Sequence, residues 1–228
     1  MAIVKQTIYI SILIQVLSLL FGIYAYMMDT NPNNGMLGEI MLIENVVQAI
    51  EFTFYVVIAF VITNIPTKDL AKYRYIDWSI TTPLMLITTL LYFVFDKDKQ
   101  EKEENPPQKR YKINSLYIIR KNINNIIKMV IANAGMLLIG YLQEIGKVTL
   151  QTSNIVGFGC LIYSFYILYG YAATRTAQIL FWVMFGVWSL YGVASNYNDV
   201  IKNTSYNILD IIAKNFYGIF LASMIMLG

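Results

Sequence analysis

"RYIDWSITTPL" occupies Arg74–Leu84, and the reading of this stretch decides the fold. Downstream of it, no charged residue occurs between Asp77 and Asp96. A helical membrane span needs about 20 mostly apolar residues. Arg74 and Asp77 therefore fall inside a spanning segment. There an Asp or Arg at the helix centre costs roughly 2.5–3.5 kcal/mol on the insertion scale, and such residues are functional candidates by default.

Working outward, charge-free stretches recur between Lys5 and Asp29, Lys128 and Glu144, Lys147 and Arg175, and Arg175 and Asp199. Two more apolar spans carry ionisable residues, one with Glu39, Glu44 and Glu51, the other with Asp210 and Lys214. Seven spans are predicted, at about 6–28, 38–63, 70–95, 120–143, 151–173, 176–197 and 204–227. The 228 residues are 57% hydrophobic and 14% charged, too apolar for an ordinary soluble domain. The fold class is all-α: one seven-transmembrane helix bundle surrounded by lipid. The first span shows no small-residue cleavage site and reads as a retained helix. Cys160 is the single cysteine and histidine is absent, so an internal disulfide, imidazole-based zinc sites and histidine proton relays are excluded.

Orientation follows from the basic residues. The connection between spans three and four carries Lys97, Lys99, Lys102, Lys109, Arg110, Lys112, Arg120 and Lys121, against Lys68, Lys147 and Lys202 at three others. That loop, about 96–119, is expected to be cytoplasmic and the N-terminus extracellular. The net charge of +3 is this topology signal and implies no nucleic acid partner. Residues 96–109, charged and containing Pro106-Pro107, read as disordered. Residues 110–128 mix basic and apolar side chains and read either as an amphipathic helix on the membrane surface or as a ragged start to span four.

The buried charges constrain one another. Lys214 sits one turn after Asp210 on the same helix face. This is either a buried ion pair that fixes packing or a lysine whose amine is used. A desolvated lysine loses its proton readily and forms Schiff bases with aldehydes; the protonated form needs a counterion, which Asp210 would supply. Asp77 would supply another, with Thr81 at i+4 on the same face, Arg74 to compensate the extra negative charge, and Trp78 as a flat wall. Pro83 sits mid-span, where hydroxyls such as those of Thr81 and Thr82 re-satisfy freed backbone groups.

A second polar pattern runs along span two. Glu44, Gln48, Glu51 and Tyr55 are spaced 4, 3 and 4 and share a face. Ser11 and Gln15 are one turn apart on span one, and Asn207 lies on the Asp210 side of span seven. Rows of carboxylates favour cations. Glu44 and Glu51 also admit a structural, hydrogen-bonded reading.

"RYIDWSITTPLML" together with "LDIIAKNFYG" resembles the third and seventh helices of the microbial (type 1) rhodopsins, whose lysine binds all-trans-retinal. "AIEFTFYVV" (49–57), "ANAGMLLIG" (132–140), "SFYILYGY" (164–171) and "WVMFG" (182–186) resemble their second, fourth, fifth and sixth helices. The resemblance implies a photoreceptor, not an enzyme, with retinal buried at the bundle centre as a protonated Schiff base on Lys214. It implies Asp77 and Asp210 as counterions and Arg74 as the gating arginine. Trp78 and Trp182 would sandwich the polyene; Tyr55, Thr81, Met136, Gly140 and Phe185 would line the pocket. Gly157 stands where the pumps carry a tryptophan, which leaves the ring end roomier. Phe185 and Gly186 depart from the Tyr-Pro of the sixth-helix motif.

The same resemblance bears on activity. Outward proton pumps resembling bacteriorhodopsin carry a carboxylic acid eleven residues after the primary counterion; here that position is Thr88. Lys202 replaces the outer proton-release glutamate. Glutamates at seven-residue spacing on the second helix resemble the channelrhodopsins. Ser11, Gln15, Glu44 and Glu51 together are similar to the first group of viral rhodopsins, from giant viruses of protists. That implies a light-gated channel for Na⁺, K⁺ and H⁺ in the host cell membrane. Light would isomerise retinal, the Schiff base would lose its proton to Asp77, and the polar seam, including Gln48 and Asn207, would relax and fill with water. The alternatives are an outward proton pump with Glu51 or Glu44 as donor, or a sensor with a protein partner. The family also implies assembly into homo-oligomers.

Overall fold

A computed structural model describes residues 2–28, 35–104 and 114–227. Eight helices occur among them: α1 (Ala2–Met28), α2 (Gly35–Val61), α3 (Thr67–Glu104), α4 (Ser115–Lys121), α5 (Ile123–Glu144), α6 (Leu150–Tyr169), α7 (Arg175–Ala194) and α8 (Asp199–Leu227). All but α4 are long and apolar enough to cross a membrane. They close into a ring in which α1, α2, α3, α5, α6, α7 and α8 each pack on the next and α8 returns to α1.

The helix ends follow local chemistry. Thr149, Thr174 and Asn198 cap α6, α7 and α8, each side chain accepting from a backbone N–H in the first turn. The α5–α6 turn depends on Gly146, whose φ of 73° disfavours any residue with a Cβ. Thr81 and Thr82 donate to the carbonyls of Asp77 and Trp78, 3.0 and 2.7 Å away, around the Pro83 interruption of α3.

The solvent preference is inverted relative to a soluble protein. Phe60, Tyr166, Ile155 and Ile131 point outward, where lipid receives them, while Arg74, Lys214, Asp77, Asp210, Glu44 and Glu51 are buried. α3 and α8 carry the largest buried share. They form the central wall that both the site and the polar seam touch.

Several boundaries differ from expectation. α3 does not stop near residue 95; it continues to Glu104. The charges of 96–104 form i,i+4 pairs, Lys97 with Glu101 at 3.6 Å and Lys102 with Asp98, and such pairing supports an exposed helix. The rest of the stretch expected to be disordered, including Pro106-Pro107, lies outside the described residues. So do residues 110–113 of the expected surface helix. Of the remainder, 115–121 form α4, which packs on α2, α3 and α5, and 123–128 are the first turns of α5, so the segment divides between a separate short helix and the start of span four; Glu39 accepts from the Ser115 N–H at 2.9 Å.

Candidate functional site

Lys214 lies in a π-helical turn, Ile211–Asn215, inside α8. Such turns insert one residue into the helix and are frequent at functional sites. Its Nζ is 2.6 Å from Asp77 Oδ2, 3.4 Å from Asp210 Oδ1 and 3.6 Å from Glu51 Oε1. All four side chains are essentially inaccessible to solvent. α2, α3 and α8 thus each bring a carboxyl group to one amine.

The two expected counterions differ in their surroundings. Asp210 accepts from Tyr55 at 2.7 Å, Tyr191 at 2.8 Å, Trp78 Nε1 at 3.2 Å and Arg74 at 3.3 Å. Asp77 Oδ1 has no hydrogen-bond partner among the described residues. Arg74 also donates to Tyr55 at 3.0 Å and to the Asn207 side-chain oxygen. Asn207 in turn donates to Thr7 at 2.7 Å, and Ser11 donates to the Asn207 carbonyl at 3.3 Å. Tyr55 therefore belongs to the charged cluster and is absent from the cavity wall. Thr81 is buried but also absent from that wall; its neighbour Thr82 is the one exposed to the cavity.

The cavity is partly open, and about 830 Å³ of space between atoms, open solvent included, lies within its outline. Lys214 reaches into it, and Trp78, Met85, Met136, Leu161 and Trp188 supply apolar walls. Gly140 and Gly157 line it. A Cβ at Gly140 would stand 2.6 Å from the Tyr75 hydroxyl, so this glycine lets Tyr75 close the wall.

The sixth-span expectation requires correction. Trp182 is 58% exposed and packs against Tyr169, Phe181 and Phe185; it does not reach the cavity. Phe185 packs on Phe165 and Phe181 and also lies off the cavity wall. The reason is helical phase. The buried face of α7 is Ala177, Phe181, Met184 and Trp188, spaced 4, 3 and 4, and Trp182 lies about 100° round from Phe181. The chain contains the pattern twice, and "WSLYG" (188–192) keeps the tyrosine that "WVMFG" lacks. Trp188 and Tyr191 are the inward pair, and the retained tyrosine was the available signal.

The polar seam lies where α1, α2 and α8 meet. Ser11, Gln15, Glu44, Gln48, Glu51 and Asn207 are all fully buried. Among the described residues, both amide atoms of Gln15 and of Gln48, both carboxyl oxygens of Glu51 and Glu44 Oε1 find no hydrogen-bond partner. Glu44 Oε2 accepts from Thr88 at 3.2 Å. Three members escaped the sequence reading. Ser18 continues the Ser11, Gln15 spacing and accepts from Asn215 at 2.9 Å; Asn45 is buried beside Gly22. At the Asp199 end of the bundle Lys202 holds Glu144 in a buried pair, 2.9 and 3.0 Å to its two oxygens.

These residues fit an apolar aldehyde such as retinal. The cavity is lined mainly by apolar side chains, with three glycines, Gly140, Gly157 and Gly192, in its wall, and a lysine with acidic neighbours reaches into it.

The bacteriorhodopsin-like protein family matches residues 6–227, the first span included. Among solved structures, the viral rhodopsin OLPVRII is similar at a TM-score of 0.80 and 22% identity, over 97% of this chain and 96% of that one. A blue-light-absorbing proteorhodopsin from Med12 is similar at 0.73 and 20%, over 98% and 96%. Acetabularia rhodopsin I is similar at 0.74 and 16%, over 100% and 95%. No curated protein matches the chain. A seven-span bundle with an internal lysine, matched by the family over nearly its whole length, makes this chain an integral membrane protein of the bacteriorhodopsin-like family, the microbial rhodopsins, which bind retinal through a Schiff base to lysine.

Proposed function

We propose that the chain is a light-gated cation channel in which retinal is attached to Lys214. The observation that carries this reading is the seam of buried polar atoms without a hydrogen-bond partner among the described residues: the amide atoms of Gln15 and Gln48, both carboxyl oxygens of Glu51 and one of Glu44. Buried polar groups are hydrogen-bonded, to protein or to water, and each unpaired one costs about 1–3 kcal/mol. A row of them between helices therefore calls for water, and a hydrated row containing two carboxyl groups suits monovalent cations.

When bound, retinal supplies the absorption of visible light and a double bond that isomerises. The chain's residues couple that event to the seam. Asp77 Oδ2, 2.6 Å from Lys214 Nζ, is the acceptor for a proton leaving that nitrogen. Its other oxygen is unpartnered, whereas Asp210 is already engaged by four donors. Glu51, 3.6 Å from the same nitrogen, feels the loss of positive charge directly. Asn207 and Ser11 link Arg74 to α1. Trp78 and Trp188 line the cavity with flat apolar faces. The basic connection between α3 and α5 faces the cytoplasm in this reading, and the membrane is that of a virus-infected host.

Glu44 supports a second reading. It bonds Thr88, the residue standing where pumps of this family place an acid, and so could return a proton from α2. One measurement separates the two. Under voltage clamp, an illuminated channel gives a current that reverses near the cation equilibrium potential; a pump current keeps one direction throughout. A current of constant direction overturns the channel.

A further inference from the structure

The far end of the Lys214 cavity is not hydrocarbon. Lys214 lies about 20 Å along α8 from its start at Asp199, while the cavity extends to Gln143 at the end of α5, Asn154 in the first turns of α6 and Ser195 just after α7. Small residues keep that end open: Gly157 and Gly192 line it, and a Cβ at Gly192 would meet the Phe158 ring at 2.8 Å. A Cβ at Gly157 would meet nothing closer than 3.6 Å, so the space beside it is unfilled.

The polar atoms there have capacity to spare. Ser195 Oγ donates to the Gly192 carbonyl at 2.7 Å and can still accept. Asn154 donates through Nδ2 to Asn196 at 2.7 Å, and among the described residues its oxygen has only the Ser195 hydroxyl, at 3.5 Å. Gln143 makes no side-chain hydrogen bond among the described residues. An unsubstituted ring of retinal would present only carbon and hydrogen to these groups. A site built to bond a substrate hydroxyl discriminates against the analogue that lacks it.

Resting on the reading that retinal attaches at Lys214, we propose that this cavity takes a retinal oxygenated on its ring, with a ring hydroxyl held among Gln143, Asn154 and Ser195. A hydroxyl both donates and accepts, which matches a set of two amides and a serine. The attachment chemistry at Lys214 is unchanged, because the oxygen lies at the opposite end of the molecule.

The test is competition for the full-length opsin. Equimolar all-trans-retinal and all-trans-3-hydroxyretinal are offered together, and the bound aldehydes are extracted and counted. The hydroxylated form is expected to be enriched about three- to tenfold, the yield of one half-buried hydrogen bond. That enrichment should vanish in Gln143→Leu/Asn154→Leu, with Ser195→Ala as the milder variant should the double one fail to fold. Equal uptake, preference for plain retinal, or enrichment that survives all of these variants overturns the proposal. Pigment from either aldehyde keeps the Lys214 reading whatever the ratio; colourless opsin from both removes that reading and this one together.

Discussion

At the scale of single residues, the two tryptophans of α7 offer the sharpest contrast. Trp188 lines the cavity and Trp182 faces outward. Trp188→Ala is expected to shift the absorption maximum and slow pigment formation, and Trp182→Ala to leave both as in the native chain; spectra of the two reconstituted variants decide it. Lys214→Ala should give no visible absorption after retinal is added. Glu51→Gln is gentler. Asp77, Asp210 and Glu51 are three carboxyl groups facing two cations, Lys214 and Arg74, so the substitution leaves equal numbers. Pigment should still form, while the photocurrent falls or changes its ion preference, as read from reversal potentials.

At the scale of elements, glycines decide how closely the seam is packed. A Cβ on Gly218 of α8 would collide with the Gln48 amide of α2, and one on Gly22 of α1 with Asn45. Gly218→Ala should therefore displace Gln48, lowering photocurrent per molecule with the absorption spectrum retained; an unchanged current would show that Gln48 does not line the path. Gly146→Ala should cost about 1 kcal/mol or more, because alanine resists the positive φ of the α5–α6 turn; slower thermal bleaching than native would contradict it. The spacing of charges made the spans legible in the sequence, since a charge-free run of about 20 residues has few other uses. The stripe on α2 was equally legible, because Glu44, Gln48 and Glu51 obey a 3.6-residue period. α7 was not, because nearly every residue is apolar and its inward phase is set by neighbours. The extension of α3 was hidden for the opposite reason: a charged sequence signals solvent exposure, and a paired helix and a disordered tail share it.

At the scale of the whole molecule, the bundle is tied at one end by a buried ion pair. Lys202 and Glu144 join α8 to α5, and both are less than a tenth exposed. Removing Lys202 leaves Glu144 an uncompensated buried charge, worth about 3–5 kcal/mol; removing Glu144 costs less, because Lys202 keeps Asp199 at 3.3 Å. Lys202→Met and Glu144→Gln should each lower the bleaching temperature, and a matched apolar double variant should recover much of the loss. Equal stability in all three would mean that the pair is hydrated.

The continuation of α3 past the apolar span has a practical corollary. Beyond the buried Asp96, which accepts from Thr174, eight residues of helix, 97–104, stand out like a mast roughly 12 Å tall. Cargo grafted beyond Glu104 would ride clear of the bilayer on a stiff spacer, close enough to report light-driven movement and far enough to leave the seven spans undisturbed.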